Sequence, residues 1–144
     1  MKMLFAILFF IISTPAFCDN NVIGYWSVKC GGFGGYIQVI SKNDVKINVN
    51  DNNLYVKGVL TEISDGKSEL YYREVLESMN DEVLWGSVSK VKPMAEVSYK
   101  NNTLSVIWKG FYDVNKKKYL WVNEPDFVIA SGKGNDIEMQ KCHF

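Results

Sequence analysis

The chain has 144 residues, with 16 basic and 16 acidic side chains, one histidine and three cysteines, and 47% of it is apolar. That length suffices for one domain with a real core. The balanced charge offers no basic excess to neutralise phosphates, which argues against nucleic acid as a partner.

Residues 1–18, "MKMLFAILFFIISTPAFC", open with Lys2, continue as an apolar run from Met3 to Ile12 and end in "STPAFC". This is the layout of a secretory signal peptide, and the apolar run is too short to span a bilayer. Cleavage after Cys18 would leave residues 19–144 as a single exported β domain; cleavage after Ala16 is the alternative. The short "MK" start points to a bacterial chain, so the expected location is the periplasm or the medium. No second long apolar run follows, and no membrane span is expected.

Removing residues 1–18 leaves two cysteines, Cys30 and Cys142, and in an exported chain such a pair reads as a disulfide. It would close a loop of more than a hundred residues, worth roughly 4–5 kcal/mol in the chain-entropy account. Strand parity places Cys30 with Trp26 and Val28, but Cys142 with Glu138 and Gln140. Either the last strand bulges or the bond lies at a rim beyond regular pairing.

The first strand, around Trp26, runs into "CGGFGGYIQV" (residues 30–39). These glycines match neither a dinucleotide fingerprint nor a phosphate-binding loop, and a strand follows rather than a helix. They read as positive-φ positions in a turn, with Phe33 either folded over the barrel end or exposed as a rim contact. "VKINV" (45–49) then alternates with period two. "DNN" (51–53) is turn chemistry, and Gly58 marks a bend or bulge in "LYVKGVLTEIS" (54–64). "SDGK" (64–67) predicts a hairpin into "SELYYREVL". Residues 74–92 break the rhythm and could hold a short helix near residues 74–84 or a long excursion, with Pro93 limiting any helix from running on. "AEVSY", "KNNT" and "LSVIWKGFY" make another hairpin, "NKKK" precedes "YLWV", and "SGKGND" introduces "IEMQKC". About eight strands at this spacing predict an all-β chain: one small antiparallel β-barrel or β-sandwich.

The catalytic inventory is thin. His143 is the penultimate residue and has no nucleophile with an orienting partner in view. Asp113, Asn115 and Glu124 mimic three places of a calcium loop. Lys117 and Lys118, however, occupy positions that need an oxygen ligand and a glycine. No metal or cofactor is expected. Glu124 and Asp126 stand two residues apart, a separation of roughly 6–7 Å in extended chain. That keeps an acid-pair glycan hydrolase in view as a distant third reading.

Residues 108–127, "WKGFYDVNKKKYLWVNEPDF", concentrate aromatic and charged side chains. Trp108 shares a face with Leu104 and Val106 and reads as core. Phe111, Tyr112, Lys116, Lys117, Tyr119, Trp121, Glu124 and Asp126, with Phe33, are the candidate partner-binding residues, because exposed aromatics bury much area at little rotamer cost.

In layout, "WSVKCGGFGGYIQV" and "IEMQKC" resemble the two ends of small periplasmic lysozyme inhibitors of the membrane-bound C-type group. Those are compact antiparallel barrels with a cysteine after the opening strand and another near the end. The resemblance covers those ends alone, lacks the family's Ser-Gly-rich inhibitory segment and carries over no site residue. "GYW" (24–26) is similar to the Gly-x-Trp opening of lipocalins.

The functional expectation is a non-enzymatic exported binding protein, an inhibitor or immunity protein against another envelope protein such as a toxin or lysozyme-like hydrolase. The alternative is a binding module for an envelope glycan or small apolar ligand.

Overall fold

Alternation of apolar and polar residues, not helical periodicity, governs most of the chain, and the strands it specifies close on themselves. The computed structural model describes residues 20–144; the leader expected over residues 1–18, Cys18 included, lies outside the described residues. The strands are β1 (Gly24–Ser27), β2 (Tyr36–Ser41), β3 (Asp44–Asn50), β4 (Leu54–Ser64), β5 (Lys67–Ser78), β6 (Pro93–Lys100), β7 (Thr103–Trp108), β8 (Phe111–Asp113), β9 (Lys118–Leu120) and β10 (Asp136–Cys142), with one short helix, α1 (Asp126–Ser131), before β10. Among the described residues, eight strands form a closed antiparallel barrel in the order β1-β10-β7-β6-β5-β4-β3-β2, and β8 and β9 pair separately as a hairpin. The architecture is therefore a barrel rather than a sandwich.

Side chains fill the lumen. Trp26, Ile37, Ile47, Val56, Leu70, Leu104, Val106, Trp108, Ile137 and Met139 are all essentially inaccessible. At roughly 25 cal/mol per Å² of apolar area removed from water, this core is the main source of stability. Gly58, read as a bend, lies where the β4–β5 register shifts. A Cβ there would come within 2.9 Å of both the Leu70 side chain and the Tyr71 carbonyl, so the bulge doubles as a close-packing position.

The two ends of the barrel differ. One carries only tight connections: β2–β3, β4–β5 through Gly66 at φ 69°, and β6–β7 through Asn101 and Asn102 at φ 52° and 57°. Two consecutive positive-φ asparagines give the primed turn that matches strand twist. The segment leading into β1 plugs this end, where Trp26 donates from Nε1 to the Val22 carbonyl at 2.8 Å. Tyr99 packs edge-on against the same indole at 5.7 Å. The other end carries every long connection: the glycine loop between β1 and β2, residues 79–92 between β5 and β6, and the β8–β9–α1 insertion between β7 and β10.

Cys30 and Cys142 are bonded, with 112 residues between them in sequence and Cα atoms 5.5 Å apart. The β1–β10 pairing is regular, Tyr25 opposite Cys142 and Ser27 opposite Gln140. The parity conflict resolves because β1 ends at Ser27, so Cys30 belongs to the loop beyond the strand and is not bound by the strand's alternation. The short helix expected near residues 74–84 is absent there. Residues 74–78 extend β5 along β4, and a turn leads on to a 3-10 segment at Trp85–Ser87. Long pairing with β4 takes up the first part of the segment, and among the described residues the one α-helix lies at Asp126–Ser131 instead.

Candidate functional site

The glycine loop and α1 build one corner of the long-connection end. Gly35 has φ 67°, and a Cβ on it would sit 2.6 Å from the Asn48 carbonyl and 3.1 Å from the Phe127 ring; one on Gly34 would meet the Ala130 methyl at 3.1 Å. These glycines therefore let the loop press against β3 and α1. Ser27 Oγ holds the loop from inside, donating to the Gly35 carbonyl at 3.1 Å. Clamped this way, the loop throws Phe33 outward, 93% exposed.

Pro125 precedes the first turn of α1, and Gly132, left-handed at φ 64°, ends the helix. Asp126 anchors that helix to the β3–β4 turn. Its Oδ2 accepts from the Asp51 backbone N–H at 2.6 Å and its Oδ1 from Asn50 Nδ2 at 3.1 Å. Asn50 Nδ2 also donates to the Glu124 carbonyl at 2.9 Å. Between loop and helix lies an open groove of about 320 Å³ lined by Phe33, Gly34, Asp51, Asp126, Ile129 and Ala130. Ile129 is 60% exposed, so the groove combines apolar surface with two carboxylates.

Asp51 also borders a second feature, on the outer wall. Tyr25 and Tyr36 have ring centroids 4.4 Å apart at 31°, Tyr55 lies 6.4 Å from Tyr36, and Phe144 lies edge-on 5.1 Å from Tyr25. Register explains the assembly: Tyr25 faces Gln38, while Tyr36, Asn48 and Tyr55 form one lateral row across β2, β3 and β4. Desolvation pushes the Tyr25 phenol up to about 12, with Tyr36, Asp51 and Tyr55 adding to the effect. Burial, then the Asp51 charge, raises Tyr36 as well.

A third cluster lies on the β8–β9 hairpin. Tyr112 and Tyr119 meet edge-on at 5.2 Å, Lys92 stands 5.5 Å over the Tyr112 ring, and Tyr119 Oη donates to the Pro93 carbonyl at 2.9 Å. Trp121, 40% exposed, donates from Nε1 to the Lys109 carbonyl at 3.0 Å. Lys116, Lys117 and Lys118 are exposed around the hairpin tip.

The residues expected from sequence thus gather at one end but not in one patch. Phe33 and Asp126 share the groove; Tyr112, Tyr119, Trp121, Lys116 and Lys117 belong to the hairpin; Glu124 is an exposed side chain between them. Phe111 is corrected. It is 1% exposed and packs edge-on against Trp85 at 5.2 Å and Trp108 at 5.7 Å, so its ring is core. Asp126 is likewise a positioning group, both of its oxygens being engaged. Sequence reasoning missed Tyr25, Tyr36, Tyr55, Phe144 and Asp51. The available signal was three tyrosines at outward positions of β1, β2 and β4, with Asn48 of β3 between the last two, legible only once register is known.

Compared with known proteins, the chain matches no family model, no curated protein and no solved structure.

Proposed function

We propose that this protein is a non-enzymatic, exported binding protein that docks another protein of the cell envelope, acting as an inhibitor or immunity partner of a toxin or hydrolase. The observation that carries this reading is the groove between the glycine loop and α1, where Phe33 and Ile129 stand exposed on a clamped backbone. Exposed apolar anchors held on a rigid base lose little entropy on association and suit a partner pocket. A filled lumen favours recognition by surface over enclosure of a small apolar ligand. The disulfide fits an oxidising compartment, and no helix among the described residues is long and apolar enough to cross a membrane. Asp126, taken up by Asn50 and the Asp51 amide, is poorly placed to serve in an acid pair with Glu124.

The test is inhibition of envelope hydrolases and toxins by purified protein, compared with Phe33→Ala and Ile129→Asp. Inhibition by the parent, weakened at least tenfold in both variants with an unchanged melting temperature, is the expected result. Saturable co-sedimentation with peptidoglycan, lost in the same variants and unaccompanied by inhibition, would replace the protein partner with a glycan.

A further inference from the structure

The outer-wall cluster holds a negative charge that the fold does not answer. Asp51 accepts a hydrogen bond from Asn48 Nδ2, but among the described residues no lysine or arginine forms an ion pair with it. Lys57, two residues along β4 from Tyr55, pairs instead with Asp44 at 3.7 Å. Around this carboxylate stand Tyr25, Tyr36 and Tyr55, all of whose phenols feel its charge.

Asn48 supplies a second, independent sign of a missing group. Val45, Ile47 and Val49 point into the lumen, so Asn48 projects outward, between Tyr36 and Tyr55 in the lateral row. Its side chain is nevertheless nearly fully covered, at 2% exposure, and its Oδ1 has no hydrogen-bond donor. A buried acceptor without a donor costs free energy in the unliganded protein and recovers it when a donor arrives.

We infer that Asp51, Asn48 and the rings of Tyr25, Tyr36, Tyr55 and Phe144 form a receptor for a guanidinium group, an arginine side chain displayed by the protein partner. Guanidinium meets each requirement together. It carries the charge that Asp51 lacks, offers five donors in a planar fork that can serve a carboxylate and an amide oxygen at once, and lies favourably against aromatic rings. An ammonium is more compact and more strongly hydrated, and matches less of the site. A pyranose wants a flat, open ring face. Here Tyr25 and Tyr36 cover each other at 4.4 Å, while Tyr55 and Phe144 stand at 65° and 84° to their neighbours. The cluster is therefore ribbed rather than a platform.

This inference deepens the protein-docking proposal and rests on it for the source of the arginine, so its test is made without a partner. N-acetyl-arginine amide, N-acetyl-lysine amide and a chitotetraose are titrated separately into the oxidised protein. The Asn48 side-chain amide and the tyrosine ring signals are followed by NMR. Saturable shifts with the arginine compound, weaker with lysine and absent with the sugar, are expected. Asp51→Asn should raise the arginine dissociation constant at least tenfold. Phe144→Ala, a change at a 91% exposed terminal residue, should raise it about threefold while leaving the barrel intact. No saturable shift with arginine, shifts with the sugar alone, or undiminished arginine binding in both variants would each overturn the inference. Partner inhibition that survives such a failure would leave the docking proposal standing without this site.

Discussion

Gly35 and Gly86 accept the same extra methyl in opposite surroundings. A Cβ on Gly35 collides with the Asn48 carbonyl on a left-handed backbone, whereas one on Gly86 meets nothing within 4 Å. Gly35→Ala should lower the unfolding free energy by about 1–3 kcal/mol and Gly86→Ala by less than about 0.5 kcal/mol, as read by urea denaturation. Tyr25 carries a second residue-scale prediction. In the unfolded chain its phenol ionises near 10, while burial and its neighbours hold the proton to about 12 in the fold. The raised value means that its contribution is complete below pH 10 and is lost as pH climbs towards 12. A phenolate absorbance titration should show a late-ionising tyrosine that Tyr25→Phe removes. At this scale the sequence was legible where strands run unbroken: Trp108 follows the parity of Leu104 and Val106 into the core. Phe111 escaped because Gly110, at φ 97°, resets the alternation between β7 and β8, so parity counted across it points the wrong way.

The β8–β9 hairpin and α1 show why two elements were harder to place than the barrel strands. Asp113 organises the hairpin, its Oδ1 accepting from the backbone N–H groups of Asn115 at 2.8 Å and Lys116 at 2.9 Å. The Lys116 amide, followed by that of Asn115, the Lys116 charge and Ser87, holds the Asp113 carboxyl below its usual range against the opposing effect of desolvation. A depressed carboxyl stabilises above the unfolded value, near 4, and that contribution is lost as pH falls through the native one. The amide shifts of Asn115 and Lys116 should therefore titrate together with a midpoint below the ordinary carboxylate range, and Asp113→Asn should abolish the titration. α1 had its punctuation in the sequence, Pro125 before it and Gly132 after. Six residues are too few to display a helical period, whereas residues 74–84 merely lacked a strand rhythm, and their first part, to Ser78, was claimed by the β4–β5 ladder.

The barrel as a whole was readable as a count of strands and turns, but not as a closure, since closure depends on β1 pairing with β10 from opposite ends of the chain. The tyrosine cluster was hidden for a related reason: Tyr25, Tyr36 and Tyr55 become neighbours only through the registers of β1 to β4, and Phe144 joins them only through the β1–β10 pairing. Cys30 and Cys142 reinforce the same seam. Replacing both with serine should cost about 2–5 kcal/mol, seen as a lower denaturant midpoint than that of the oxidised parent. An unchanged midpoint would show that strand pairing alone secures the seam. The unequal ends of the barrel have a bearing on orientation as well. The chain enters β1 past Val22, beside the tight turns, while the glycine loop, α1 and the β8–β9 hairpin crown the far end. A tether joined ahead of residue 20 would thus act like the stem of a goblet, holding the recognition loops outward from whatever surface the stem is fixed to.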